Sequence, residues 1–216
     1  MEIGTLIREL GGGMWISAEI FILTLLFSLP LGLVVAFGRM SKIAPVRWIS
    51  KLYISIMRGT PLMLQLMVVY FGPYYLFGMK VTATYRFYAV IIGFALNYAA
   101  YFAEIYRGGI ESIPKGQYEA AEVLGYSKVQ TFWKIIFPQM VKRVLPPVTN
   151  EVITLVKDTS LAFALAYTEM FTLAKQVAAS TASIMPLFIA GLFYYIFNFL
   201  VAMVMEKLEK RMQYFD

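Results

Sequence analysis

The sequence predicts an all-α membrane protein that forms a single transmembrane domain over residues 1–216. Of its 216 residues, 60% are hydrophobic and only 15% are charged, which lies outside the range of ordinary soluble domains. Several apolar stretches, bounded by charges, prolines or glycines, approach the roughly 20 helical residues that cross a hydrocarbon core about 30 Å thick. The chain is therefore expected to cross a bilayer several times.

Five membrane-spanning helices are predicted. Residues 16–38 form the clearest span, and the others cover residues 61–77, 87–106, 146–171 and 184–205. The fourth contains Glu151, Lys157 and Asp158, which must face protein or a watery cavity because charges are costly against lipid. No basic segment of the signal-peptide kind precedes the first span, which is expected to remain as a membrane anchor.

The positions of Lys and Arg predict the orientation, because basic loop residues stay on the cytoplasmic side. They concentrate after the first span, after the third span and at the C-terminus, which predicts an N-out, C-in protein. The basic residues that this orientation places inside are Arg39, Lys42, Arg47, Lys51, Arg58, Arg107, Lys115, Lys128, Lys134, Lys142, Arg143, Lys207, Lys210 and Arg211. This distribution is typical of membrane loops and argues against nucleic-acid binding.

The composition also argues against an enzyme. The sequence has no cysteine and no histidine, so it lacks disulfides, the usual ligands of zinc and haem, and an imidazole for acid–base chemistry. It has no phosphate-binding G-x-x-x-x-G-K-[ST] motif either, so ATP is not used by this chain in the P-loop manner. No catalytic site, metal site or cofactor is predicted in it.

A cytoplasmic loop over residues 107–143 is predicted to bind a soluble partner. It is too long for a simple helix connection and too short for a domain. Its pattern predicts a turn at residues 114–116, a short helix that ends at Gly125, and a second helix over residues 127–136 that Pro138 breaks. Ala120 and Ala121 give the first helix a small, smooth surface that would fit a groove. The alternative is an amphipathic helix that lies on the bilayer.

This loop resembles the EAA loop of permeases of binding-protein-dependent ABC importers. The motif is carried by Glu119, Ala120, Ala121, Gly125, Ile135, Phe137 and Pro138. Only Phe137 departs from it, since leucine is commoner there. The resemblance implies the type I ABC importer permease fold and a role in ATPase coupling for Glu119, Ala120, Ala121, Gly125 and Pro138.

A second pair of motifs resembles the polar amino acid branch of these permeases. One runs from Arg58 through Gly59, Thr60 and Pro61 to Leu62 and is followed by Gln65, and the other is Lys157-Asp158-Thr159-Ser160-Leu161. The first motif has an equally strong structural interpretation. Its arginine would anchor the cytoplasmic end of the second span, its threonine would cap a helix, and its proline would occupy the first helical position.

The resemblance implies a set of partners. These are two ATP-binding subunits that use ATP and Mg²⁺, an extracytoplasmic substrate-binding protein and a second permease subunit. A second subunit is needed because five spans make too small a wall for a solute path. A homodimer is expected, and a heterodimer stays open. An amino acid substrate and membrane lipid complete the set. The resemblance also implies a multi-pass protein of the cytoplasmic membrane of a bacterium or an archaeon.

Two polar stripes are candidate substrate contacts. In the third span, Asn97 and Tyr101 share a helical face with Glu104, and in the fourth span Glu151, Thr154 and Asp158 share another, from which Lys157 points away. The predicted substrate-binding residues are Asn97, Tyr101, Glu151, Thr154 and Asp158. The alternative is structural: Asn97 bridges helices by hydrogen bonding, Lys157 pairs with an acid, and Thr159 or Ser160 bonds its own backbone.

Three acids within the spans, against one lysine, suit a cationic side chain or an α-ammonium group. We therefore expect a polar amino acid, with arginine, lysine or histidine favoured by the charge. Two other functions stay open at this point. One is a membrane scaffold that transports nothing, and the other is an ion-coupled transporter that uses Glu151 and Asp158 as proton sites.

Overall fold

The structure, a computed structural model, describes residues 3–212. Helices account for most of these residues. These residues contain no β-strand, and the all-helical class is confirmed. The α-helices are α1 Ile3–Arg39, α2 Ala44–Gly59, α3 Leu62–Phe77, α4 Ala83–Glu111, α5 Lys115–Val123, α6 Lys128–Thr131, α7 Phe137–Asp158, α8 Met170–Thr181 and α9 Met185–Met212. A π-helical turn, Phe132–Ile136, joins α6 to α7, and a 3₁₀ helix, Thr159–Leu165, follows α7.

Three helices within residues 3–212 are long and apolar enough to cross a membrane alone. They are α1, α4 and α9, which correspond to the first, third and fifth predicted spans, and each extends beyond its span by at least one turn at one end or both. The bent pair α2 and α3 brings the number to four if the two helices form one span. The predicted count of five spans and the N-out, C-in orientation stay predictions.

The second predicted span begins at a sharp corner. Residues 39–58, which we expected to be a loop, contain the helix α2, and its axis is bent by 112° from that of α3. Pro61 has no N–H and disfavours helical dihedrals in the residue before it. Thr60 is accordingly extended, with φ −125° and ψ 150°, and the chain turns there.

The fourth predicted span, residues 146–171, is not one helix, and this prediction was wrong. α7 ends at Asp158, the 3₁₀ helix follows, and Ala166 has a left-handed backbone with φ 50°. α8 then starts with Glu169 as its N-cap. The buried Glu169 carboxylate accepts hydrogen bonds of 2.8 Å from the N–H groups of Phe171 and Thr172, which stabilises a helix start inside the protein.

Close packing of α1 against α4 forms the centre of the bundle. Small residues recur about every four positions on the buried face of α1, which lets the two backbones approach. At Gly32 a β-carbon would lie 2.8 Å from Cβ of Phe102, so only glycine fits this crossing. α7 packs on the other side of α4 and also on α9. α4 is thereby held between α1 and α7, and its Tyr98 hydroxyl reaches Asp158 at the end of α7.

Candidate functional site

A polar cavity lies where the α2–α3 corner, α4 and the C-terminal half of α7 meet. Its volume is about 270 Å³. All five residues predicted to bind substrate line it, which brings the stripes of two helices to one place. The lining consists of Thr60, Leu62, Asn97, Tyr98, Tyr101, Glu151, Thr154 and Asp158.

Two carboxylates face this cavity in different states of hydrogen bonding. The hydroxyl of Tyr98 donates a 2.7 Å hydrogen bond to Oδ2 of Asp158, so that one of the two oxygens has a fixed partner. No described residue hydrogen-bonds to the side chain of Glu151. Thr154 lies between them in sequence and donates its hydroxyl to the carbonyl of Asn150 at 2.9 Å. A bound ligand would therefore meet one held and one free carboxylate.

Asn97 serves the α2–α3 corner as well as the cavity. It is only 4% exposed, and its Nδ2 donates to Oε1 of Gln65 at 2.9 Å and to the carbonyl of Met57 at 3.2 Å. Gln65 in turn donates from Nε2 to Oγ1 of Thr60 at 2.7 Å and to the Met57 carbonyl at 2.9 Å. Both donors of the Asn97 amide are thus engaged, and its Oδ1 remains as the acceptor toward the cavity.

Two basic side chains change the charge balance that the sequence suggested. The guanidinium carbon of Arg58 lies 5.3 Å from the centroid of the Tyr101 ring, at the margin of the cavity, where its charge acts on Glu151. Glu104 does not line the cavity and instead pairs with Arg107 at 2.7 Å. Of the three acids within the predicted spans, two therefore face the cavity, and the third is paired outside it.

Sequence reasoning missed three side chains that shape the cavity. Tyr98 is buried in the apolar stretch of α4, and nothing in the spacing of one helix indicates that it reaches Asp158. Thr60 and Gln65 stand in the Arg58 to Gln65 motif, so their signal was present, but only as a helix cap and a family mark. The structure places Thr60 in the cavity wall and Gln65 directly behind it.

The coupling segment, which we define as residues 115–138, projects from the opposite end of α7. α5 ends with the N–H of Gly125 bonded to the Glu122 carbonyl and the N–H of Tyr126 bonded to the Ala121 carbonyl, both at 3.0 Å. This Schellman motif requires a left-handed residue, and Gly125 has φ +78°. Ser127 then caps α6 in a capping box with Gln130.

The surface of the coupling segment is unusually apolar for its exposed position. Val123 is 88% exposed, Leu124 is 73% exposed, and Val129 and Trp133 are also exposed. Glu119 and Ala120 are exposed, whereas Ala121 is buried and packs inward. Of the predicted coupling residues, Ala121 is thus placed to hold α5 in position, not to contact a partner.

Pro138 does not stop the second helix of this segment, contrary to the prediction. The helical path continues from α6 through the π-helical turn into α7. In that turn the N–H of Phe137 bonds to the carbonyl of Phe132, five residues back. A proline has no N–H and crowds the carbonyl four residues before it, and the wider π turn accommodates both effects. α7 therefore connects the coupling segment to Asp158.

Comparison with known proteins identifies the family. The model of the family described as "Binding-protein-dependent transport system inner membrane component" matches residues 28–214. The chain belongs to this family. It is 37% identical over 205 residues to the L-cystine transport system permease protein TcyB of Bacillus subtilis, a match that covers 94% of this chain and 86% of that one.

Two further matches agree. The arginine transport system permease protein ArtQ of Bacillus subtilis is 36% identical over 202 residues, covering 93% of this chain and 91% of the relative. A crystal structure of an amino acid ABC transporter with histidines superposes with a TM-score of 0.86 and 27% identity, over 98% of this chain and 99% of that one. The type I importer permease fold is thereby confirmed.

Family membership distinguishes between the three functions that the sequence left open. The chain is the permease subunit of an amino acid ABC importer and an integral inner-membrane protein. ATP is hydrolysed by a separate chain, and a substrate-binding protein belongs to the same system. The scaffold and the ion-coupled transporter are no longer needed to explain the sequence.

The corner network generates a first prediction. Gln65→Ala removes its donors to the carbonyl of Met57 and to Thr60 and takes away one of the two acceptors of the Asn97 amide, which is expected to cost about 1–3 kcal/mol of folding free energy. The same substitution at the exposed Gln176 is expected to cost nothing measurable. Thermal unfolding of the detergent-solubilised complex checks this. Equal midpoints for the two variants would show that the network does not stabilise the corner.

Proposed function

We propose that the polar cavity is the substrate site and that it selects a polar amino acid carrying positive charge, such as arginine, lysine or histidine. The observation that carries this proposal is the pairing of Glu151 and Asp158 in one small cavity that no lysine or arginine side chain lines. Two acids in a partly desolvated site favour a cation strongly. The volume of about 270 Å³ suits one amino acid better than a peptide.

Charged groups in and beside the cavity would also bind the α-ammonium and α-carboxylate groups that all amino acids share. The carboxylates of Glu151 and Asp158 would receive the α-ammonium group and a cationic side chain. Arg58, at the margin of the cavity beside Tyr101, is a cation available to the α-carboxylate. A relative named for L-cystine shows why a neutral polar amino acid is the second candidate, since the same groups would bind any zwitterion.

The proposed assembly has two copies of this chain, each with its own cavity, and two ATP-binding subunits. An extracytoplasmic protein delivers the amino acid, and the ATPases dock on the exposed apolar surface of the coupling segment around Val123 and Trp133. Closure of the ATPases would push on α5 and α6, and α7 would carry the displacement to Asp158. Exposed apolar faces on α3 and α9 are available for the second copy or for lipid.

Removing one charge from the cavity tests its selectivity. Asp158→Asn keeps an acceptor for the Tyr98 hydroxyl but removes the carboxylate charge, so arginine uptake is expected to fall about tenfold or more. Uptake of glutamine, which lacks the second charge, is expected to fall much less. Glu9→Gln is the control, because it removes one carboxylate charge from an exposed residue of α1 that does not line the cavity.

The measurement is uptake of labelled arginine, lysine, histidine and glutamine into vesicles that contain the complete transporter and ATP. A native preference for glutamine over arginine would refute the cationic selectivity while leaving the cavity as the site. Uptake that Asp158→Asn leaves unchanged for every amino acid would refute the site itself.

A second experiment tests the coupling segment. Gly125→Val places a β-branched side chain at φ +78°, which disrupts the end of α5, and Gly78→Val creates the same strain at φ +65° after α3. Only the first variant is expected to abolish stimulation of ATP hydrolysis by substrate and binding protein. The measurement is ATPase activity of the reconstituted complex. Loss of stimulation in both variants, or in neither, would contradict docking at this segment.

A further inference from the structure

A second cavity lies at the end of the bundle where α1 ends and α2 begins. Its volume is about 650 Å³, and Arg39, Arg47 and Lys51 line it together with Pro45, Trp48 and Ile49. No acidic side chain contributes to the lining. The cavity therefore presents concentrated positive charge and attracts an anion. None of these residues belongs to the polar cavity or to the coupling segment.

Neighbouring groups leave most of this charge uncompensated. Arg47 donates from Nη1 to the carbonyl of Ser41 at 2.9 Å, which positions the guanidinium without neutralising it. Arg39 lies 3.9 Å from Glu104, whose carboxylate is bonded more closely to Arg107. Lys51 forms no ion pair with any described carboxylate.

Apolar side chains accompany these cations on the surface of α2. Trp48 is 65% exposed and Ile49 is 64% exposed, and both line the same cavity. Basic residues beside exposed tryptophan and aliphatic side chains are typical of helices that lie at the boundary between lipid headgroups and acyl chains. A small soluble anion would leave these apolar side chains without a partner.

The cavity lies at the same end of the bundle as the coupling segment. The ring of Phe37, near the end of α1, is 5.2 Å from the ring of Phe132 in the π-helical turn. The basic residues of both regions are those that the sequence assigns to the cytoplasmic side. The cavity therefore faces the inner leaflet, whose surface carries anionic lipids.

We propose that this cavity binds the phosphate headgroup of an anionic lipid of the inner leaflet. The guanidinium of Arg47 matches two phosphate oxygens, and Lys51 adds a point charge. Trp48 and Ile49 contact the glycerol and the first acyl carbons. The proposal depends on the predicted orientation and not on which amino acid the transporter carries.

Fluorescence quenching of Trp48 tests the lipid site in the complete transporter with its ATPase. The complex is placed in phosphatidylcholine vesicles that contain the same fraction of either brominated phosphatidylglycerol or brominated phosphatidylcholine. The signal of Trp48 is the difference between this complex and one carrying Trp48→Phe, so other tryptophans cancel. Brominated phosphatidylglycerol is expected to quench Trp48 more strongly than brominated phosphatidylcholine.

Charge removal should reduce that preference. Lys51→Gln and Arg47→Gln are each expected to weaken it roughly fivefold, because one basic residue near an anionic membrane surface contributes about 1 kcal/mol. Lys51 is exposed and unpaired with any described carboxylate, so its variant is expected to fold. Lys80→Gln, an exposed cation after α3, is expected to keep the preference of the native protein.

Four results would overturn the proposal. Equal quenching by the two brominated lipids would exclude headgroup selectivity. Absence of quenching by either lipid would show that a protein partner covers the cavity. Release of the quenching by inorganic phosphate at constant ionic strength would identify a site for a soluble anion. An unchanged preference in both the Lys51 and the Arg47 variants would show that the lipid selectivity does not arise from this cavity.

Discussion

Backbone polar groups that a helix break leaves without partners must be satisfied by other groups of the protein where water is excluded, and this constraint shapes two breaks in the described helices. At the α2–α3 corner the amide of Gln65 bonds the carbonyls that the turn leaves free. At the second break Glu169 accepts the first N–H groups of α8, and Arg86 donates to the Ala166 carbonyl at 3.0 Å. Each break places polar side chains inside the bundle, at positions where a continuous helix would carry apolar ones. The polar cavity has Thr60 from the first break in its wall and Asp158 directly before the second.

The same arrangement gives a physical route from the coupling segment to the cavity. Because the π-helical turn absorbs Pro138, the helical path from α6 to Asp158 is unbroken, and a helix transmits displacement along its axis. Side chains tie α7 to its neighbours on the way. Arg143 donates to the carbonyl of Ser112 after α4, and Thr149 hydrogen-bonds Glu209 on α9. In the proposed coupling, a push on α5 moves α7 and changes the spacing between its carboxylates and the side chains of α4.

The sequence predicts features that depend on a single helix, such as its position in the chain and which side chains share one of its faces. Long apolar stretches gave α1, α4 and α9, and the spacing of Glu151 and Asp158 placed both carboxylates on one face. Hydropathy averages over a window, so it did not detect the break at residues 159–169, where a buried Glu169 starts a new helix. Spacing within one helix does not tell which neighbour it meets, so the bond from Tyr98 to Asp158 was out of reach. The α2–α3 corner also depends on Asn97 of α4, which is distant in sequence from its partner Gln65, and a local pattern does not indicate such a contact.

The central claim is that the substrate occupies the cavity between the two breaks. The chain has no cysteine, so Thr154→Cys introduces one thiol into the cavity wall and Ser180→Cys introduces one at the exposed end of α8. The decisive measurement is the rate at which a charged thiol reagent labels each variant in the reconstituted transporter, with and without arginine or another transported amino acid. The account predicts that the transported amino acid slows labelling at position 154 and not at position 180. Equal labelling of position 154 with and without every transported amino acid would contradict it.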